Sequence, residues 1–491
     1  MGIIINQSLR NATISYIGIA LGFASSIILF PNILGTERFG LTRTLLAIVT
    51  ISVQFVNLGL PNAIIKFFPS LTDKSAKKNG LFWVFMIPPL IGFFIFSLIF
   101  LVFKDYVLSI YEDSTLLSDY YILILPLVAS LASFALLNSF VKASFNTVFA
   151  SFLQDIFIRI VVILDLLLYF FELISFDTFM LIFVGNYSLQ YVILFIYALK
   201  NRYISFSLNL SAFTPAVKKE ISKYSLFAFF SGFTMILVGN IDLLMVDVFK
   251  GLEQTGVYAV ALYVGAVITV PKRTITKISF PILSKSFVEN DMVNVSNIYK
   301  QSSLNQFLFG LLIYIGVIAN MDNLYSMLPD TFSNGSIVIV IIGLANLFDM
   351  ITGANGQIII ASKYFKFDFV ASCVLMISAI VLNLILIPKF GLTGAATATA
   401  TSIFIFNFIK VIYVWTKFKI QPFSLKTGGI IILGLSVLYL STFIPKLHSI
   451  YFDIPVRSLL IAILYMGAVW FFNLSEEVNG IIKSLVKRIK N

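Results

Sequence analysis

The chain has 491 residues, of which 59% are hydrophobic and only 12% are charged, and its mean hydropathy is +0.97. An average soluble domain carries about 25% charged residues, so this composition excludes a soluble globular protein. With one histidine and one cysteine, the sequence also excludes a disulfide framework, a thiol redox pair and a His/Cys metal site. The net charge of +11 agrees with a membrane protein that keeps its cations on the cytoplasmic side, and we expect no nucleic-acid partner.

Apolar runs long enough to cross a bilayer follow one another along the whole chain, each bounded by charges or by Pro, Gly, Asn or Asp. Fourteen such runs lie near residues 12–34, 42–65, 81–103, 120–141, 150–171, 178–199, 224–247, 256–280, 304–321, 335–361, 368–388, 393–416, 428–444 and 456–473. These runs leave no room for a folded domain outside the membrane. The sequence therefore predicts an all-α polytopic membrane protein with about fourteen transmembrane helices.

The charges between the runs alternate in sign from one connection to the next. Lys74, Lys77 and Lys78 follow the second run, whereas Glu112 and Asp113 follow the third. Lysine and arginine accumulate in cytoplasmic connections, and an error in the count would disturb this alternation from that point on. We therefore predict that both termini are cytoplasmic.

A longer basic connection, at about 200–223, follows the first six runs. It predicts an N-terminal lobe of six helices over 1–210 and a pseudo-symmetric C-terminal lobe of six helices over 211–426. Residues 427–491 then hold helices thirteen and fourteen and a basic amphipathic tail at the cytoplasmic membrane surface.

The two halves share local signals. Glu37-Arg38-Phe39-Gly40 precedes one run and Glu253-Gln254-Thr255-Gly256 precedes another, and the runs end near Phe68-Pro69 and Phe280-Pro281. Such repetition indicates a duplicated unit, which is typical of secondary transporters with a substrate site between the halves. In the C-terminal half, Gly391 and Gly394 predict a tight turn, and Pro388 predicts the end of the eleventh helix.

Several of these segments resemble a known family. Ile-Asp-Leu-Leu-Met-Val at 241–246, Thr-Gly-Val-Tyr-Ala-Val-Ala at 255–261 and Phe-Pro-Ile-Leu-Ser at 280–284 resemble the seventh and eighth helices of Wzx-type polysaccharide flippases. The segment 383–399 resembles the turn between the eleventh and twelfth helices of that family. The resemblance covers essentially the whole chain and extends to the superfamily of multidrug, oligosaccharidyl-lipid and polysaccharide (MOP) exporters.

The resemblance implies a non-enzymatic flippase of the bacterial cytoplasmic membrane. Its cargo would be an undecaprenyl-pyrophosphate-linked oligosaccharide for O-antigen, capsule or exopolysaccharide. Its partners would be this lipid-linked cargo, the phospholipid bilayer, and a polysaccharide polymerase and glycosyltransferases. No cofactor is expected, and the choice between a proton and a sodium gradient as the driving force stays open.

Three other functions remain open beside that of a polysaccharide flippase. A cation-coupled multidrug exporter of the same superfamily would have a more acidic cavity and normally lacks the last two helices. A peptidoglycan lipid-precursor flippase shares fourteen helices, but the first run lacks an arginine beyond Arg10. A membrane polysaccharide polymerase or ligase would need a large outer loop, and no such loop is present.

Ionisable groups inside the runs are the candidates for the cargo site, because a charge in hydrocarbon is costly and normally faces a polar interior. Asp349 has glycines and amides just after it, which predicts a polar wall. Asp155 lies four residues before Arg159, which predicts an ion pair between them, and Asp242 is expected to form an inter-helix hydrogen bond or to act in gating. The predicted cargo-binding residues are Arg43, Arg159, Lys272, Arg273, Asp349, Asn355 and Gln357, with Asn57, Gln154, Asn186 and Gln190 as sugar partners. We expect no catalytic residue and no metal.

The predicted topology can be tested with reporter fusions at Asn491 and near Ser211. Because the connections at these points are rich in lysine and arginine, both fusions should be active only with a cytoplasmic reporter. Activity of a periplasmic reporter at either point would overturn the topology.

Overall fold

The computed structural model describes residues 2–71, 81–111, 114–144, 146–204, 206 and 214–480, and in these ranges the chain is helical. The amphipathic tail predicted from residue 481 and residues 207–213 of the basic connection lie outside the described residues. The α-helices of the described ranges are α1 (Gly2–Phe23), α2 (Phe30–Asn57), α3 (Leu60–Leu71), α4 (Leu81–Val102), α5 (Lys104–Ile110), α6 (Thr115–Tyr120), α7 (Ile124–Ala143), α8 (Val148–Phe152), α9 (Ile158–Phe170), α10 (Phe176–Lys200), α11 (Pro215–Val238), α12 (Ile241–Val267), α13 (Val270–Val288), α14 (Met292–Ala319), α15 (Met321–Ser326), α16 (Ser336–Ile351), α17 (Asn355–Ala361), α18 (Lys366–Phe418), α19 (Leu425–Ser441) and α20 (Ile450–Phe471).

Many of these helices are apolar enough to cross a bilayer. In the described chain, nine helical segments meet this condition, or ten if α12 and α13, which meet at 48°, count as one span. Two segments, Thr13–Asn57 and Lys366–Phe418, have 45 and 53 residues, about twice the ~20 residues that one crossing needs. The predicted class, an all-α polytopic membrane protein, is confirmed, and the count of fourteen stays a prediction.

Three of the longest helices bend sharply at a glycine. The bends lie at Gly35 in α2, Gly251 in α12 and Gly391 in α18, with φ of 72°, 78° and 57°. Each bend falls between two predicted spans. The helix runs on past Pro388, so the predicted end at this proline is wrong. Proline removes one main-chain hydrogen bond but keeps a helical φ, and the chain turns only where glycine adopts a positive φ.

Packing divides the chain into two compact units, Met1–Ala259 (unit one) and Val260–Asn491 (unit two). In unit one, α11 packs against α2 and α3. The predicted division into 1–210, 211–426 and 427–491 was made by counting spans, and it stays a prediction.

Each unit has its own apolar core. In unit one, the ring of Phe140 contacts the rings of Phe68, Phe82 and Phe85, with centroids 5.2, 6.0 and 6.0 Å away. In unit two, the fully buried Tyr465 of α20 donates a hydrogen bond to the carbonyl oxygen of Leu308 in α14 at 3.2 Å. The phenol of Tyr465 thus ties two core helices together without leaving its hydroxyl unsatisfied.

In unit one, α2 and α12 cross in unusually close contact. A Cβ atom on Gly40 would lie 2.0 Å from the carbonyl oxygen of Leu252, and a Cβ on Gly256 would lie 2.1 Å from that of Thr36. The contact is reciprocal, since each glycine faces the backbone of the other helix. Small residues allow membrane helices to approach this closely. The repeated glycines of the sequence therefore meet each other in the fold.

We expect Gly40→Ala to destabilise the protein, because the added methyl group overlaps main-chain atoms that cannot rotate away. Overpacking of this kind typically costs about 1–3 kcal/mol. Thermal unfolding of the purified protein in detergent measures the effect. Gly185→Ala in α10 is the matched control, since nothing lies within 4 Å of its added Cβ, and this change should leave the melting temperature equal or higher. Equal melting temperatures of the two variants would contradict the close crossing.

Candidate functional site

Two of the predicted site residues form an ion pair in unit two. Lys272, near the start of α13, donates through Nζ to Asp349 Oδ2 near the end of α16. Their side chains are 25% and 21% exposed. The pair therefore joins two helices and is partly open to its surroundings.

Just after Asp349, the helix is interrupted between α16 and α17. Ser303 Oγ of α14 donates to the Ile351 carbonyl oxygen at 2.5 Å, and Ser302 Oγ accepts from the Ala354 amide at 3.1 Å. A broken helix at membrane depth is tolerated only when its freed main-chain groups find such partners. The serines of α14 thus allow the break that places polar groups beside Asp349.

A second ion pair lies next to this break. Lys410 Nζ of α18 is 2.6 Å from Asp368 Oδ1, and the Lys410 side chain is only 6% exposed. A Cβ atom on Gly356 would lie 3.2 Å from this ammonium, so the glycine leaves room for the lysine. The Lys410 ammonium also lies 3.9 Å from the ring centroid of Phe406, a cation–π contact.

Hydrogen-bonded amide groups lie beside the ion pairs. Asn355 Nδ2 donates to Asn407 Oδ1 at 3.1 Å, and Thr352 Oγ1 is also 3.1 Å from that oxygen. Thr352 Oγ1 in turn donates to the Asp349 carbonyl oxygen at 2.8 Å. We call the following six residues the polar cluster: Lys272, Asp349, Asn355, Asp368, Asn407 and Lys410.

The polar cluster holds two lysines and two aspartates, so its formal charges cancel. Paired and hydrogen-bonded charges are the form in which ionic groups persist in a low-dielectric interior. Lys272 was predicted as a cargo-binding residue. The structure gives it an aspartate partner, and an anion that binds Lys272 must compete with Asp349.

The other predicted residues of unit two lie around the cluster. Asn355 is 5% exposed and belongs to it, whereas Gln357 is half-buried in α17 and Arg273 is exposed on α13. Lys272, Asp349 and Asn355 were candidates from the sequence, and the structure places these three residues in one cluster. Their roles in binding cargo stay predictions.

Three members of the cluster were not predicted from the sequence: Asp368, Asn407 and Lys410. A usable signal was present, because Asn407 and Lys410 lie inside the predicted run 393–416 and Asp368 begins the preceding run. A lysine inside an apolar run marks a polar interior as clearly as an aspartate does.

In unit one, Arg159 lies against the first helix. Its Nη1 donates to the Asp155 carbonyl oxygen at 2.8 Å, and the Asp155 carboxylate accepts from Ser15 Oγ at 3.3 Å. Added Cβ atoms on Gly18 and Gly22 would lie 2.6 Å from Nη1 and 3.0 Å from Nε of Arg159. The two glycines of α1 therefore form the surface on which the guanidinium rests.

The remaining predicted charges of unit one are buried. Arg43 is 8% exposed, and its guanidinium carbon lies 4.7 Å from the ring centroids of both Phe30 and Phe39. Asp242 accepts a hydrogen bond from the Tyr258 hydroxyl at 3.2 Å, within α12. A further buried carboxylate that the sequence did not single out, Asp247, accepts from Ser114 Oγ at 2.6 Å.

The four predicted sugar partners bond to protein groups of unit one. Asn57 Nδ2 donates to the Ala132 carbonyl oxygen at 3.2 Å, and Gln190 Nε2 donates to the Leu153 carbonyl oxygen at 2.9 Å. Gln154 accepts from Asn138, and Asn186 donates to the carboxylate of Asp165. In this conformation these amides join helices, and sugar contact by them stays a prediction.

Comparison with known proteins agrees with the resemblance that the sequence motifs indicated. The family model described as "Polysaccharide biosynthesis protein" matches residues 9–287, more than half of the chain. A curated relative, the probable low-salt glycan biosynthesis flippase Agl15 of Haloferax volcanii, is 22% identical over 200 residues. This match covers 40% of the present chain and 42% of that relative.

Several solved structures have a similar fold. The lipid II flippase MurJ in an inward closed conformation matches 95% of this chain and 100% of its own, at 16% identity and a TM-score of 0.73. A multidrug resistance MATE transporter of the MOP superfamily, in an inward-facing conformation, matches 83% of this chain and 94% of its own, at 12% identity and a TM-score of 0.61. A MATE transporter of Vibrio cholerae matches 85% of this chain and 98% of its own, at 14% identity and a TM-score of 0.55.

At these identities the structural likeness establishes the fold, and the family model establishes the family. This multi-pass membrane protein therefore has the fold of the MOP superfamily and belongs to the polysaccharide biosynthesis protein family.

Proposed function

We propose that the protein flips undecaprenyl-pyrophosphate-linked oligosaccharide units from the inner to the outer leaflet of the bacterial cytoplasmic membrane. These units would be precursors of O-antigen, capsule or exopolysaccharide. The observation that carries the proposal is the polar cluster, two ion pairs with hydrogen-bonded amides beside them in a fold of membrane-spanning helices. Membership of the polysaccharide biosynthesis family supports it, as do relatives named as flippases.

The chemistry of the cargo explains why such a cluster is needed. Sugars cannot cross hydrocarbon unless their hydroxyls keep hydrogen-bond partners, and a pyrophosphate needs cations. Lys272 is the more exposed of the two cluster lysines, with 25% against 6% for Lys410. We therefore assign anion contact to Lys272, in exchange with Asp349, and a structural role to the pair of Asp368 and Lys410.

In this proposal the protein works by alternating access and makes or breaks no covalent bond. It needs no catalytic residue, metal or bound cofactor, and a proton or sodium gradient supplies the energy. Both termini lie in the cytoplasm, beside the glycosyltransferases that complete the cargo. A polymerase takes up the flipped unit on the other side.

A second candidate is a flippase of peptidoglycan lipid precursors, which the match to the lipid II flippase over 95% of the chain favours. A cation-coupled multidrug exporter is less consistent with the polar cluster. The cluster holds equal numbers of lysine and aspartate, whereas such an exporter would have an acidic cavity. A polymerase or ligase, which belongs to a different class, lacks support from the family match.

The exchange between Asp349 and the cargo anion predicts different results for single and double variants. Lys272→Gln alone leaves a carboxylate without its cation and should lower the amount of folded protein. Adding Asp349→Asn restores neutrality and should restore the protein level. Transport by the double variant should still fall by about ten- to a hundredfold, since a charge-assisted contact contributes roughly 1.5–3 kcal/mol. Polysaccharide display by a flippase-null strain, at matched protein level, measures transport.

The ion pair of Lys426 and Glu476 provides the matched control, because its side chains are 39% and 80% exposed. Exposed pairs contribute little, so Lys426→Gln with Glu476→Gln should leave both protein level and display unchanged. Full display by the Lys272→Gln/Asp349→Asn variant would refute the assignment of anion contact to Lys272.

The predicted cargo-binding residues Arg159 and Arg273 are tested separately. The double change to glutamine keeps hydrogen-bonding capacity and removes both charges, and we expect a ten- to hundredfold loss of cargo affinity for a lost charge-assisted contact. The double change to lysine keeps the charges and loses the planar fork, so it should retain more transport. Normal display by the glutamine variant at matched protein level would leave both arginines as structural or lipid-facing residues.

A further inference from the structure

Unit one contains a pocket that the proposed transport does not use. It lies between the break that joins α2 to α3, the first half of α4 and the first half of α11, and its volume is about 330 Å³. Ligand pockets in proteins usually range from about 300 to 1,000 Å³. The pocket is therefore large enough for part of a small ligand or for a lipid chain.

One wall of the pocket is entirely apolar. It is formed by side chains of the α2–α3 break and of α4: Leu58, Leu60, Val84, Phe85 and Pro88. At the rim, Leu58 is 42% exposed and Leu226 of α11 is 54% exposed. Exposed apolar side chains at this rim are suited to contact with a hydrocarbon chain.

The opposite wall, on α11, carries a polar stripe. Lys218, Ser222 and Ser225 line the pocket and are spaced by four and three residues, which places them on one helix face. The stripe runs about 10 Å along the helix. It ends with the ammonium group of Lys218 near the start of α11, at the end of the helix that the sequence predicts to be cytoplasmic.

Besides the pocket itself, the side chain of Ser225 indicates a ligand. It is 5% exposed, and its Oγ finds no hydrogen-bond partner within the described part of the chain. Its backbone is fixed by the α2–α3 break, since a Cβ on Gly59 would lie 2.2 Å from the Ser225 carbonyl oxygen. A buried hydroxyl without a partner is costly, and this one lines a pocket that a ligand can enter.

The charge near the pocket selects the kind of ligand. Lys218 stands in the first turn of α11, where the helix dipole adds to its positive charge. Lys219, Glu220 and Lys223 follow it, so the segment keeps a net positive charge. This arrangement attracts an anion at the membrane surface. A suitable ligand therefore has a negative headgroup, hydrogen-bond acceptors a short way below it, and a hydrocarbon chain.

We propose that this pocket binds one anionic glycerophospholipid from the leaflet on the Lys218 side. The phosphate contacts Lys218, an ester carbonyl oxygen accepts hydrogen bonds from Ser222 and Ser225, and an acyl chain covers the apolar wall. A polyprenyl phosphate fits less well, because its chain has no acceptor below the phosphate for Ser225. The site lies within unit one, whereas the polar cluster belongs to unit two.

The proposal is tested by titrating the purified full-length protein in detergent with phosphatidylglycerol and with phosphatidylcholine, and counting bound lipids by native mass spectrometry. The wild-type protein should retain one phosphatidylglycerol at least tenfold more tightly than phosphatidylcholine. Lys218→Gln should remove most of this preference, since it deletes a charge-assisted contact. Ser225→Ala should weaken both lipids severalfold, and Ser225→Leu, which fills the pocket, should abolish the tightly bound lipid.

Lys219→Gln is the matched control, because Lys219 is exposed on the same helical turn but does not line the pocket. It should leave the preference unchanged. Equal binding of the two phospholipids by the wild type, or equal effects of the Lys218 and Lys219 variants, would overturn the proposal. Displacement of phosphatidylglycerol by undecaprenyl phosphate at equal concentration, unaffected by Ser225→Ala, would also overturn it and make the pocket a site for a prenyl chain. Because the assay measures lipid binding, its result is independent of whether the proposed transport is correct.

Discussion

The constraint on which this structure depends is that hydrocarbon offers a polar group no hydrogen-bond partner. Every charge and every freed main-chain group inside an apolar helix must find its partner within the protein. The break between α16 and α17 shows how strictly this holds. Two serines of α14 bond to the freed main chain, and amides and ion pairs complete the surroundings. The polar cluster therefore lies where several helices contribute partners together.

The same constraint determines the electrostatic character of the candidate site. A cavity lined with free cations would attract an anionic cargo strongly, but such cations would be costly to keep in an empty site. The polar cluster instead holds each lysine against an aspartate. Lys272 and Asp349 are the more exposed pair, which is why the proposed function assigns anion contact to Lys272, whereas the Lys410 side chain is deeply buried. Pairing of this kind lowers the cost of keeping the four charges inside the protein.

Main-chain contacts set a second limit on the fold. The reciprocal approach of α2 and α12 works only because Gly40 and Gly256 lack a side chain. These glycines belong to the repeated signals of the two halves, and each follows by five residues a glycine at which its helix bends, Gly35 or Gly251. The repeated sequence signals thus follow two similar bends, and the helices that carry them, α2 and α12, lie in close contact.

The sequence by itself determined the fold class, because composition and long apolar runs leave a chain no alternative to membrane-spanning helices. It also located the helix-bending turns near Gly35, Gly251 and Gly391, and it marked Lys272, Asp349 and Asn355 as polar groups at membrane depth. The tertiary structure alone decided which charges pair. Asp349 is 77 residues from its partner Lys272, and no periodicity or spacing encodes a contact between such distant helices. For the same reason the roles of Asp368, Asn407 and Lys410, and the pocket beside Ser225, became visible only once the helices were packed.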